Sequence, residues 1–119
     1  MAEFKHRRLD VWQIARGMVK NIYEVSSCFP STEAFGLTDQ IRRAAISVPS
    51  NIAEGSSRQT KADFIHFLVM ARGSLAEVDT QLTLAEDLGY VAEQAVLHSC
   101  LEDLSIRLNH LIGHIRGDG

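Results

Sequence analysis

Histidines, cysteines and a row of arginines and glutamates carry the chemistry available to this chain. His110 and His114 stand four residues apart, and Asp118 continues the same helical face. Two ligands at helical spacing can begin a metal site. No Glu-x-x-His set of the di-metal bundle type accompanies them, and His6, His66 and His98 are scattered. The expectation is therefore exposed helical histidines, no metal and no cofactor. Cys28 and Cys100 are too few for a disulfide framework and read as free thiols of a reducing cytoplasm, with a single bridge between them left open. The sequence has no Gly-x-Ser-x-Gly, phosphate-loop, dinucleotide or zinc-finger pattern, and Gly55-Ser56-Ser57 lacks the lysine a phosphate loop needs. No catalytic residue is assigned.

A polar stripe is more distinctive. Arg43, Ser47, Ser50 and Glu54 fall one above another at helical spacing, bordered by Arg42 and Asn51, with Arg58 four residues beyond Glu54. Further on, Arg72 and Glu77 interrupt an apolar stretch. Glu77 lies one step from core positions, which predicts partial burial, and a buried carboxylate needs a partner. Arg42, Arg43, Ser47, Asn51, Glu54, Arg72 and Glu77 are thus candidates for a polar network or a subunit contact. The small residues Ala71, Gly73 and Ser74 suit close approach by a neighbour.

The net charge of -3 conceals a division. Residues 1–60 carry +2 and residues 61–119 carry -5. A protein built mainly to grip phosphates is usually basic throughout. Nucleic-acid binding here must use a local patch, and Lys5, Arg7, Arg8, Arg16 and Lys20 supply one. No apolar run approaches membrane-span length, and the N-terminus lacks a signal-peptide pattern, so a cytoplasmic protein is expected.

Four apolar periods must position these groups. Val11, Ala15, Met18, Ile22 and Val25 place helix 1 over about Leu9 to Ser26, widened by Trp12 and Val19. Pro30 breaks the chain, and Ser31 or Thr32 can cap the next helix. Helix 2 covers Thr32 to Glu54 on the stripe Leu37, Ile41, Ala45, Val48 and Ile52, with Gly55 as its stop. Pro49 takes the hydrogen-bond donor from the Ala45 carbonyl, so a kink is expected there, with Ser47 and Ser50 free to donate to released carbonyls. Helix 3 starts at a Thr60 cap with Asp63 as capping-box partner, follows Phe64, Leu68, Ala71, Leu75, Val78, Leu82 and Ala85, and ends at Gly89. Helix 4 starts near Val91 or Ala92, follows Leu97, Leu101, Leu104, Leu108, Leu111 and Ile115, and ends at Gly117. Steps near 3.5 and short connections predict a single all-α domain over 1–119, an antiparallel up-down four-helix bundle. Ile65, Phe67, Val69, Met70, Leu84 and Leu88 lie off the helix 3 stripe, Ile65 and Val69 well away from it. Such a surplus predicts a homo-oligomer.

Two resemblances bear on function. Arg107 and His114 share a face of helix 4, and the pair resembles the Arg-x(4–6)-His motif of the HEPN helical ribonucleases, although Leu108 replaces the usual polar residue. That resemblance implies an alternative, metal-independent ribonuclease. A far longer one runs in order through Leu9-Asp10-Val11-Trp12-Gln13-Ile14-Ala15, Ile41-Arg42-Arg43-Ala44-Ala45, Ser47-Val48-Pro49-Ser50-Asn51-Ile52-Ala53-Glu54-Gly55, Ala71-Arg72-Gly73-Ser74, Glu77 and Leu88-Gly89-Tyr90. It resembles the bacterial four-helix-bundle family first noted as proteins encoded by intervening sequences inside 23S ribosomal RNA genes. The resemblance implies an up-down bundle assembling into a ring-like homopentamer, with no catalytic residues to transfer. The accessory protein of diversity-generating retroelements looks like a relative that binds nucleic acid and a reverse transcriptase through a strongly basic pentamer. This chain departs from it in net charge. The combined expectation is a non-enzymatic, ribosome-associated accessory protein that binds itself and either RNA or an RNA-processing protein.

Overall fold

The computed structural model describes residues 3–117. A 3-10 turn at Lys5–Arg8 leads into α1 (Asp10–Ser26), and a second at Ser31–Glu33 precedes α2 (Leu37–Ser56). Then follow α3 (Lys61–Asp87) and α4 (Ala95–Arg116). A 27-residue α3 spans about 40 Å at about 1.5 Å per residue, nearly the 44 Å long axis of the molecule.

Side-chain pairings give the directions. Arg72 reaches Asn109 at 2.7 Å, Asp79 meets His98 at 2.6 Å and Glu86 meets Gln94 at 2.7 Å, so α4 descends as α3 rises. Arg42 of α2 meets Ser26 at the far end of α1, while Trp12 near its start shares a cleft with Ala53. Arg107 of α4 meets Asp10 of α1 at 2.8 Å. The turn 57–60 folds α3 back beside α2, with Phe64 and Phe67 against Gly55. Each helix packs on its chain neighbours, α1 closes on α4, and the diagonal pairs approach no closer than 8 Å between Cα atoms.

The apolar stripes meet at the centre. Val11, Ala15, Met18 and Ile22 join Ile41, Ala45, Val48 and Ile52. Leu68, Ala71, Leu75, Val78, Leu82 and Ala85 complete the core with Leu97, Leu101, Leu104 and Leu108. At the end of α4 the buried residue is Ile112, while Leu111 and Ile115 are only half-buried. A straight helix turns every 3.6 residues, so a stripe extrapolated at 3.5 drifts off the core.

Helix boundaries also depart from expectation. α2 begins at Leu37, and neither Ser31 nor Thr32 caps it. The Glu33 carboxylate does, accepting the Leu37 N–H at 3.0 Å and the Tyr90 hydroxyl at 2.7 Å. The backbone N–H of Leu37 and then the Tyr90 hydroxyl hold the Glu33 pKa below its ordinary value. α4 begins at Ala95 rather than Val91 or Ala92, because Glu86 takes the Gln94 N–H and residues 91–94 cross the end of the bundle. Thr60 does cap α3, accepting the Asp63 N–H at 3.1 Å. α3 ends at a left-handed Gly89, with Tyr90 N–H on Ala85 and Gly89 N–H on Glu86, a Schellman arrangement. Gly117 ends α4 in the same left-handed region. α2 runs as one helix through Pro49, and Ser47 donates to Ala44 rather than to the Ala45 carbonyl that proline leaves without its usual donor.

Gly55 departs in role rather than in position. It does not stop α2; the helix continues to Ser56 and Gly55 is buried. A Cβ there would stand 2.8 Å from Phe67 Cβ, 3.0 Å from Phe64 Cδ1 and 3.2 Å from the Phe64 carbonyl. Glycine is required for α2 and α3 to close at their shared end. Gly17, by contrast, is exposed in α1 with nothing within 4 Å of its missing Cβ. Gly55→Ala is expected to lose about 1–2 kcal/mol, since overpacking exceeds the helix-propensity gain. Gly17→Ala is expected to gain about 0.5–1 kcal/mol. Urea unfolding followed by circular dichroism measures both, and a raised midpoint for Gly55→Ala would contradict this account of the α2–α3 contact.

Candidate functional site

The polar residues expected to form one network separate into local pairs within the chain. Arg43, whose side chain is largely exposed, pairs with Asp39 one turn earlier at 2.9 Å. Glu54 pairs with Arg58 at 2.6 Å, and the Arg58 guanidinium sits 4.8 Å from the centre of the Phe67 ring. Asn51 donates to the Ser47 carbonyl on its own helix. Arg72 donates to Asn109 of α4. Glu77 is exposed, which corrects the expected partial burial. It follows Leu75 by two positions, and that rotation carries it to the outer side of α3. Ile65, expected far from the core, packs against it, whereas Val69 is exposed.

Arg42 belongs to a different surface, the outer groove between α1 and α2. Its Nε donates to the buried Ser26 hydroxyl at 2.8 Å, and its guanidinium lies 4.4 Å from the Tyr23 ring centre. Nearer the other end, Trp12, Arg16, Val19, Ile46, Pro49, Ser50, Ala53 and His6 line a cleft of about 380 Å³. Arg7 and Arg16 lie over Trp12 at 5.5 and 5.7 Å, and His6 leans on it at 4.7 Å. Lys5, Arg7 and Arg8 are exposed on the first turn, and Arg16 and Lys20 on α1. The sequence-derived basic patch is thus one end of a longer surface. Arg42 and Tyr23 join it from elements that only folding brings together.

A second cluster was not anticipated. His98 of α4 bridges two α3 carboxylates, with Nδ1 2.6 Å from Asp79 and Nε2 3.1 Å from both oxygens of Glu86. Burial pushes the imidazole pKa down. Hydrogen bonds and charge from Asp79 and Glu86 outweigh it and leave the pKa above its ordinary value. The cluster clamps the start of α4, since Glu86 also holds the Gln94 N–H. The signal in the sequence was the spacing Asp79, Leu82, Glu86 across the α3 edge, legible only once α4 is known to be antiparallel.

The alternative catalytic pair, Arg107 and His114, lies on α4 seven residues apart. Arg107 is held by Asp103 and Asp10, each at 2.8 Å, which raise its pKa, and the described residues give His114 no hydrogen bond with it. Among the described residues no group of histidines, cysteines and acids is placed to hold a metal. Asp118 lies outside the described residues. Cys28 and Cys100 are free thiols. No helix among the described residues is long and apolar enough to cross a membrane.

Fold and surfaces together define a small helical bundle with its distinctive groups on outer grooves rather than in an enclosed pocket. The chain belongs to the 23S rRNA-intervening sequence protein family, whose model matches residues 7–110. No match is found among curated proteins. Its fold is similar to the 1.70 Å crystal structure of a protein of unknown function from the S23 ribosomal protein family of Bacteroides thetaiotaomicron VPI-5482. The two are 24% identical, with a TM-score of 0.69, over 88% of this chain and 96% of that one.

The His98 clamp predicts a pH dependence. A pKa raised in the folded state means protonation favours folding. Its stabilisation is complete below the ordinary histidine value of 6.5 and is lost as pH rises through the higher folded value. The urea midpoint is therefore expected to fall between about pH 6 and pH 8. His98→Gln should flatten that fall, and an equal fall in the variant would remove His98 as its source.

Proposed function

We propose that this chain is a non-enzymatic accessory protein of the cytoplasm that works as a homo-oligomeric ring, of five copies by family resemblance, and carries an RNA or protein partner. The outer face of α3 is the observation that carries the assembly half of this reading. His66, Met70, Gly73, Glu77 and Leu84 recur at steps that place them opposite the core stripe, flanked by Val69 and Leu88. Val69, Met70, Leu84 and Leu88 are 37–58% exposed. A Cβ at Gly73 would meet nothing within 4 Å, so bare backbone is open to a second helix. A row of large apolar side chains along one helix, interrupted by a glycine, suits a helix from another copy. Glu77, exposed within this face, supplies a polar group among the apolar ones. Ring closure requires this face to meet a different face of the next copy. The family membership supports the accessory role.

Light scattering coupled to size exclusion tests the assembly. The unaltered chain is expected at a multiple of its 13.2 kDa mass, and the double variant Met70→Glu, Leu84→Glu at the mass of one chain with its helical circular dichroism retained. A single-chain mass for the unaltered protein at tens of micromolar would sink the ring.

A further inference from the structure

Six of the nine arginines divide by what holds them. Arg43, Arg58 and Arg107 are each paired with a carboxylate. Arg7, Arg16 and Arg42 make no such pair among the described residues and lie instead over the rings of Trp12 and Tyr23. A guanidinium stacked on an aromatic face is held in place while its charge stays uncompensated, and the edge N–H groups of Arg7 and Arg16 remain available to an anion, whereas Arg42 spends Nε on the Ser26 hydroxyl and Nη2 on the Tyr23 carbonyl and keeps Nη1. Lys20 continues the row about 6 Å beyond Arg16, at about 1.5 Å per residue along α1. That step is comparable to the separation of successive phosphates in an extended single strand.

The same surface offers planar faces. Phe4 is 72% exposed and stacks on His6 at 5.6 Å with 24° between the ring planes. His6 in turn leans on Trp12. Phe4 therefore ends a short ladder of rings with one face covered and the other open. Beside it a cleft of about 610 Å³ runs between Phe4, Lys5 and His6 on one wall and Ser50, Ala53 and Ser57 on the other. Glu3 and Glu54 also line this cleft, and Glu54 is neutralised by Arg58.

We infer that this face binds a single-stranded nucleic acid, with a base on the open side of Phe4 and phosphates over Arg7, Arg16, Lys20 and Arg42. Cations that follow a backbone, interleaved with rings that accept any base, are what such binding requires. An acidic peptide would use the cations but not the open stacking face. A duplex has no free base face to offer. The inference rests on the accessory reading above for the existence of a partner, and it decides for nucleic acid over protein. It does not depend on the oligomeric state.

Trp12 is the sole tryptophan and lies within the proposed site, so its emission reports occupancy. The test titrates fluorescein-labelled oligouridylate of about twelve nucleotides, with anisotropy and Trp12 emission read together. Saturable binding with a change in Trp12 emission is expected. Its logarithm should fall with the logarithm of salt at a slope of about -3, roughly 0.7 for each of four phosphate contacts. Arg16→Ala should reduce that slope by about 0.7. Phe4→Leu should weaken binding about tenfold and leave the slope unchanged. Circular dichroism confirms that each variant is folded. Absence of saturable binding at low salt overturns the inference. Binding indifferent to both variants overturns this groove while leaving an RNA-binding accessory in place. Equal affinity for polyglutamate or for a duplex of the same length overturns the choice of ligand. Light scattering on the same samples keeps the ring separate, since a single-chain mass with intact binding sinks only the assembly.

Discussion

The arrangement of outer surfaces depends on the closeness of α2 and α3 at Gly55. Any side chain there would collide with Phe67 Cβ and with the Phe64 backbone carbonyl, which cannot move without moving α3. Contact at this point, one short turn from the chain reversal at 57–60, sets the register of the two helices along their length. It brings Arg58 over Phe67 and aligns the α2 stripe from Ile41 to Ile52 with α3 from Leu68 to Leu82. α2 then fixes where α1 can lie, and the α1–α2 groove inherits its shape. A glycine at the hairpin end thus acts on a surface on the far side of α2.

Elsewhere the bundle is held at its ends by polar groups spanning connections that apolar stripes cannot specify. At one end Glu33 caps α2 and receives Tyr90 from the turn after α3, while Phe29 packs on the same ring at 5.9 Å. The His98 clamp lies toward the same end and ties α3 to the start of α4. Asp10, Asp103 and Arg107 join α1 to α4 near the opposite end.

Legibility in the sequence followed the range of each interaction. The four stripes were readable because burial repeats with the helix, and the Thr60 cap and Gly89 terminus because both are local. Gly55 read as a helix stop because its real constraint is an aromatic pair nine and twelve residues away on another helix. Glu33 was passed over because serine and threonine are commoner caps, and its role needs Leu37 and Tyr90 together. Glu77 was expected to be partly buried because one position of helical rotation separates the core edge from the outer face. The candidate polar set held the right residue types but assumed one network, whereas short-range pairs such as Arg43 with Asp39 satisfy most of it. The basic patch was visible as a run of charge, and its extension to Arg42 was not, because Tyr23 and Ser26 meet that arginine only through the α1–α2 contact.

The position of these surfaces constrains how they can act together. The apolar outer face of α3 and the aromatic–basic groove of α1 and α2 are on different sides of the bundle, because α1 and α3 are diagonal. A copy seated on α3 therefore leaves the ring ladder from Phe4 to Trp12 open on the subunit that receives it. If the face meeting α3 on the next copy were the α1–α2 groove, assembly would cover the cations, and Arg7, Arg16 and Arg42 would need carboxylates across the contact. α3 offers Glu77 and Asp87 for this purpose, with Asp63 near its start, whereas Asp79 and Glu86 are already held by His98. In the proposed ring, a groove left uncovered would present the same strip of rings and cations on each subunit to a common partner.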